Sequence, residues 1–297
     1  MRRPYAVLVG VCSSWGSIGV LVRWVPLPGA AIACARIWVA TVGLGLVLAA
    51  RARLGSREGG PPLFSYRPGR VVLTGAVLAG HWTAFIAALQ RAPIGTVVLI
   101  VFLGPVGVAL AAPRVLGERL TAGTLFALSL AVAGFVLVAA PAVQGGSGTG
   151  LLLAAAAGAS FVVLVLASKP LSEVYGGLRL AFCELAVASA VLLPVGLSIG
   201  WGGPRASWGW LVLLGLVHTA AGVSLYLAAL SRVPAVHAGI LGYLEPAAAV
   251  VFGWAVLSEQ PGVDTIVGGL LIVAAGVIVV RFSEVAAAEP EVLGVAG

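Results

Sequence analysis

The residues able to do chemistry in this chain are few enough to name. Within its long apolar runs the ionisable side chains are Arg36, His81, Arg179, Glu184, His218, His237 and Glu245. Glu245 is followed by Pro246 and lies about ten residues into an apolar run that begins at Ala235. A proline inside a helix removes a hydrogen bond and bends the chain, here freeing the carbonyl of Gly242. A carboxylate beside an open carbonyl suits a proton or an amine. The competing reading is a protonated glutamate that braces the bend. His81 and His218 can hydrogen-bond a ligand or titrate near neutral pH, or serve as structural histidines bonded to a neighbouring helix. No Cys/His cluster has metal-ligand spacing, so neither a metal nor a cofactor is expected.

The composition says what must hold these groups. The chain has 297 residues, of which 61% are hydrophobic and 9% charged, against roughly 25% charged in soluble domains. Its mean hydropathy is +1.12. Too little polar surface is available to cover a soluble core, so the lipid bilayer is the expected solvent. Ten apolar runs have spanning length: 5–23, 29–50, 70–90, 93–113, 121–140, 150–168, 175–199, 208–230, 235–257 and 262–281. They lack the two-residue alternation of a barrel, so the expected fold class is all-α integral membrane. The Ala- and Glu-rich segment 282–297 reads as a disordered cytoplasmic tail. Cys12, Cys34 and Cys183 fall inside spans as small apolar residues, not as a disulfide framework.

The net charge of +7 has a topological explanation. With the amino terminus inside, twelve Lys and Arg side chains fall on cytoplasmic edges. Five of them are in the 51–70 loop beside Glu58, and only Arg23, Arg91 and Arg205 fall outside. This positive-inside bias puts both termini in the cytoplasm. Cations spread along membrane edges do not make a nucleic-acid surface. Trp24, Trp201, Trp208 and Trp210 suit the interfacial belt.

An internal repeat supplies the first functional argument. Residues 88–119 align with 229–260 at a constant offset of 141, with nine of 32 positions identical. The identities include Arg91/Arg232, Pro93/Pro234, Pro105/Pro246 and Glu118/Glu259. The chain thus divides into halves, 1–141 and 148–281. Five spans per half make the second half enter the membrane from the opposite face, giving two inverted five-helix repeats. That construction recurs in secondary transporters, where the halves exchange conformations around a central site.

The ten spans carry further motifs: Trp15-Gly16, Arg91-Ala92-Pro93, Leu244-Glu245-Pro246 and Leu257-Ser258-Glu259. Together they resemble the drug/metabolite transporter superfamily, in its ten-helix form with two EamA domains. Gly95 to Leu110, with Gly104-Pro105, also looks like the threonine/homoserine exporter branch. The resemblance implies efflux of small metabolites or drugs through a central cavity. Alternating-access export of neutral or zwitterionic, amino-acid-like or amphipathic compounds is therefore the leading expectation. The partners expected are a small-molecule substrate, the bilayer and protons, with the chain a monomer or homodimer. The alternatives are an intramembrane enzyme, pairing Ser160 of Gly158-Ala159-Ser160 with His218, and a non-transporting receptor or scaffold.

The repeat also sorts the candidate residues. Phe85 maps to Tyr226 and Phe102 to Tyr243, while His81 maps to Gly222 and His218 to Val77. The two histidines then use one face of equivalent helices. With Trp15 and Trp82 these residues make the expected cavity: Trp15, His81, Trp82, Phe85, Phe102, His218, Tyr226, Tyr243 and Glu245, with Glu245 the proton-coupling candidate. Ordinary helix packing is the alternative for each. Aligning Val39-Ala40-Thr41 with Val187-Ala188-Ser189 makes Arg36 and Glu184 equivalent, and so candidates for a gating ion pair. Pro105 and Pro246 mark candidate hinges. Glu118 and Glu259, just ahead of spans five and ten, are expected to complement those helices' dipoles. Small-residue stripes at Gly150, Ala154 and Gly158, and at Gly10 and Ser14, suit close helix packing.

Overall fold

A computed structural model describes residues 2–55, 60–143, 147–199 and 207–292, with the side chains at 2, 94, 95, 142 and 282–292 excepted. Arg57, Glu58, Trp201, Arg205 and the glycines of the turn at 144–146 lie outside the described residues. Among the described residues, ten helical segments are long and apolar enough to cross a membrane, at the positions the hydropathy predicts.

Three of the ten are broken. The first consists of α1a (Arg2–Trp15) and α1b (Ile18–Arg23). It is followed by α2 (Gly29–Arg53) and α3 (Pro68–Leu89). The fourth is split into α4a (Ile94–Val101) and α4b (Gly104–Val115), and α5 is Ala122–Ala139. The second half begins with α6 (Gly148–Tyr175) and α7 (Gly177–Ser198). The eighth, α8, covers Ser207–Leu230 and contains a π-helical segment, Leu214–Ala221. The ninth is split into α9a (Ala235–Gly242) and α9b (Leu244–Leu257), and α10 is Val263–Val292.

The breaks have sequence causes. Pro105 and Pro246 cannot donate to the preceding turn. The helix therefore stops just ahead of each, at Phe102–Leu103 and at Tyr243. The expected bend at Pro246 is thus a full interruption, and Glu245 sits in the first turn of a new helix. The first helix is interrupted at Gly16–Ser17, and at Gly16 α9b passes too close for a side chain. A methyl group there would lie 2.6 Å from the Ala249 nitrogen and 2.7 Å from the Glu245 carbonyl oxygen.

Small residues set the remaining close approaches. Gly134 of α5 and Gly268 of α10 face one another, and a methyl group at Gly134 would lie 2.5 Å from the Gly268 oxygen. Gly150 and Gly158 pack against the Arg91 and Ile100–Val101 backbone, as the stripe on α6 predicts. The stripe on the first helix is different, since Gly10 faces open space.

Two lengths also differ from expectation. α6 runs past Lys169 and Pro170, and stops at Gly176, whose φ of 73° ends the helix. α10 continues through Val292, where a disordered tail is expected from residue 282. An Ala- and Glu-rich segment needs no new nucleus when it extends an existing helix.

Candidate functional site

The helix breaks surround a central cavity of about 240 Å³. Eight of the nine expected cavity residues line it: Trp15, His81, Trp82, Phe85, Phe102, His218, Tyr226 and Glu245. Arg36, Glu184 and Pro105 line it as well. Tyr243 does not. It is fully buried, and its hydroxyl donates to the Phe102 carbonyl oxygen at 2.6 Å. A side chain at the break of α9 fills the space between the two interrupted helices, where a buried hydroxyl needs a partner. Pro246 is also away from the cavity wall, one step beyond Glu245.

Charge in the cavity is confined to a few groups on different helices. Arg36 of α2 is buried at 5% exposure. Its Nε donates to Thr219 Oγ1 at 2.9 Å, and its guanidinium lies 4.4 Å from the Trp82 ring centroid. A guanidinium on an indole face is held by cation–π attraction while its other donors stay available. Glu245 of α9b lines the same cavity as Arg36. The half-helix that begins at Leu244 points its positive end at this carboxylate.

Arg36 and Glu184 do not pair in the way their equivalence predicts. Glu184 accepts a 2.6 Å hydrogen bond from Ser168 Oγ on α6, while Arg36 is taken up by Thr219 and Trp82. Helix equivalence places two residues at related positions across a two-fold axis. It does not aim their side chains at each other.

His218 lies within the π segment and is tied to the break of the first helix. Ser17 Oγ is 2.9 Å from His218 Nε2, and Trp15 Nε1 donates to the His218 carbonyl oxygen at 2.8 Å. Trp15 also packs on Tyr226, with centroids 5.5 Å apart. Thr219 donates to the Leu214 carbonyl oxygen five residues back. That satisfies part of the backbone a π segment loosens, and such segments concentrate at functional sites. The hydropathy pattern shows neither Thr219 nor Ser168 as a site residue. A polar residue beside His218 is the only signal for the first.

His81 is on the other side of the cavity. Its Nδ1 donates to the Ala157 carbonyl oxygen at 2.9 Å and lies 3.2 Å from Ser160 Oγ. Its ring is parallel to that of Phe85 at 6.4 Å. Ser160 sits inside the continuous helix α6 and donates to the same Ala157 oxygen at 2.8 Å. The Ser160–His218 pair of the enzyme alternative is therefore not formed. His218 bonds Ser17, and Ser160 lies in a regular helix rather than in an exposed turn.

The recurring acids also differ from expectation. Glu118 accepts from the Ala235 nitrogen at 2.7 Å and so caps α9a in the other half, not α5. Glu259 pairs with Arg23 Nη1 at 2.6 Å. His237 bridges Tyr5 (2.7 Å) and Thr124 (3.2 Å), joining the first, fifth and ninth helices away from the cavity. Cys12, Cys34 and Cys183 are buried free thiols. Trp24 packs against Trp210 with ring centroids 4.7 Å apart and planes tilted by 46°, and is exposed.

A largely apolar cavity that carries a few charged side chains, lined by both five-helix halves, is the setting in which known relatives become informative. The profile of the EamA-like transporter family matches residues 3–140 and 148–281, once for each half. The chain belongs to the EamA-like transporter family. It is a multi-pass membrane protein of a transporter family, and the family is not one of enzymes. An uncharacterized transporter of Archaeoglobus fulgidus is 31% identical over 180 residues, covering 60% of this chain and 64% of the relative. The threonine/homoserine exporter RhtA of Escherichia coli is 30% identical over 177 residues, covering 58% of this chain and 57% of the relative. The aligned part thus spans less than two thirds of either relative. A solved crystal structure, described only as that of a protein, has the same fold with a TM-score of 0.79. It is 19% identical, and the match covers 95% of this chain and 98% of that one.

Proposed function

We propose that this EamA-family transporter exports small zwitterionic or neutral metabolites of the amino-acid class by alternating access, without direct use of ATP. The observation that carries this reading is one buried cation, Arg36, in the wall of a largely apolar cavity that also holds the acids Glu184 and Glu245. A substrate carboxylate would meet the guanidinium of Arg36, which is planar and suited to bidentate contact. A substrate ammonium would meet Glu245. The side chain would pack among Trp82, Phe85 and Phe102. A cavity of about 240 Å³ holds a small metabolite and not a bulky one. One accessible cation is too little for a phosphorylated sugar or nucleotide sugar. The similarity to a threonine/homoserine exporter supports both the substrate class and the direction.

The two matched halves support alternating access, with Pro105 and Pro246 as hinges, because inverted halves can exchange conformations about a central site. The charge bias of the edges supports both termini inside, and the similarity to an exporter of Escherichia coli supports a bacterial-type cytoplasmic membrane. Protons are the proposed coupling ion and Glu245 their carrier.

The test is uptake into inverted membrane vesicles of a panel of labelled amino acids, with and without an imposed pH gradient. Saturable uptake of at least one neutral amino acid that needs this chain is the expected result. Failure across the panel, together with transport of a dianionic phosphate ester, would overturn the substrate class.

A further inference from the structure

The two recurring acids, Glu118 and Glu259, occupy equivalent positions, but their surroundings differ in one respect. Each follows the fourth helix of its own half and meets a cation near the end of the first helix of the opposite half. Glu118 lies 3.8 Å from Lys169 of α6, and Glu259 lies 2.6 Å from Arg23 of α1b. Five spans per half place the first pair at the face that carries the amino terminus and the second at the opposite face.

The first pair is almost enclosed, with side-chain exposures of 11% for Glu118 and 13% for Lys169. It is also heavily bonded. Lys169 Nζ donates to the Leu230 and Val233 carbonyl oxygens at 3.1 and 2.7 Å and lies 3.6 Å from Glu173. The Glu118 carboxylate accepts from the Ala235 and Val236 nitrogens at 2.7 and 3.4 Å. The end of α4b, the end of α6 and the turn from α8 to α9a are thus joined at one point. Leu230, whose carbonyl is held there, is also part of the cavity wall. The second pair is a lone contact with exposures of 59% for Arg23 and 53% for Glu259. An exposed ion pair contributes little, whereas an enclosed pair whose two charges are each held by backbone hydrogen bonds is costly to open by removing one partner.

We propose that these pairs are two equivalent latches, enclosed alternately. Glu118–Lys169 is enclosed and braced here and closes the cavity at the amino-terminal face, while Glu259–Arg23, in contact but exposed, is the mate that becomes enclosed when the halves exchange conformations. This rests on the alternating-access reading, but its test needs no substrate.

The test uses full-length protein in sealed proteoliposomes, with an amino-terminal tag showing which face is outside. Cys12, Cys34 and Cys183 are replaced by alanine, and Leu230→Cys serves as reporter at the cavity end. A membrane-impermeant maleimide is added to the amino-terminal face. Glu118→Gln and Lys169→Met should each raise the labelling rate about tenfold or more, as a shift of population toward the open state requires. Glu118→Asp, which keeps the charge but not the reach, should be intermediate and provides a folded variant. Glu259→Gln should leave labelling from this face unchanged or slower. Wild-type rates in Glu118→Asp and in whichever of the other two latch variants folds would overturn the proposal. So would an equal increase from Glu259→Gln. Faster labelling without transport of any amino acid would uphold the latch and reject the substrate class.

Discussion

Tyr243 donates its hydroxyl to the carbonyl oxygen of Phe102, and the two residues are 141 positions apart, the offset of the internal repeat. They are therefore each other's repeat mates. Each ends the first segment of an interrupted helix, so the two breaks meet at the pseudo-two-fold axis. Phe135 packs on both, at 5.1 Å from Phe102 and 5.4 Å from Tyr243. The halves are joined by a hydrogen bond where the backbone lacks its regular helical one.

Tyr243→Phe should cost about 1–3 kcal/mol of stability, because it leaves a buried carbonyl without its donor. A lower melting temperature of the detergent-purified protein, with substrate affinity retained, is the expected pair of results. An unchanged melting curve would show that the bond does not hold the halves together.

Arg36→Lys keeps the charge but loses the planar fork, the bond to Thr219 and the stacking on Trp82. Affinity for a zwitterionic substrate should fall about tenfold or more, by loss of a charge-assisted hydrogen bond worth roughly 1.5–3 kcal/mol. Substrate binding by calorimetry checks this. Equal affinity in the variant would remove Arg36 from the binding site.

Glu245→Gln is nearly isosteric and cannot release a proton. In inverted vesicles it should abolish the acceleration given by a pH gradient while leaving exchange of substrate across the membrane measurable. If both rate and pH dependence match the wild type, the proton role of Glu245 is wrong.

Gly16→Ala forces a methyl group against the Ala249 nitrogen and the Glu245 carbonyl oxygen, at 2.6 and 2.7 Å. Overpacking of this kind costs about 1–3 kcal/mol, and the displaced α9b should also impair transport. Gly19→Ala in the same helix meets nothing within 4 Å and is the matched control. The comparison is made by melting temperature and uptake rate.

Ser160→Ala should leave transport within about twofold of wild type, since the hydroxyl donates back to its own helix and His81, its neighbour at 3.2 Å, keeps the shorter bond to the Ala157 carbonyl oxygen. A large loss of uptake would give Ser160 a role that its geometry does not suggest.

The contrast between Arg36 and Glu184 shows where sequence reasoning stops. Hydropathy locates both in spans, and the repeat makes them equivalent. Their partners, Thr219 and Ser168, come from helices 183 and 16 residues away. No periodicity within one segment reports such a contact. Glu118 shows the same limit: an acid ahead of α5 reads as its cap, yet it caps α9a.

Composition and pattern alone determine the ten spans, the two halves and their opposite entry into the membrane. Lipid forces each spanning backbone to satisfy itself within one continuous segment, so that part of the fold is written locally. The broken helices are half legible, because Pro105 and Pro246 announce them, whereas no proline announces the break at Gly16–Ser17. The π segment around His218, the partners of Arg36 and Glu184, and the burial of Tyr243 are decided by tertiary structure. They depend on which helix faces meet, and side-chain direction across a helix interface is set by packing between segments distant in sequence.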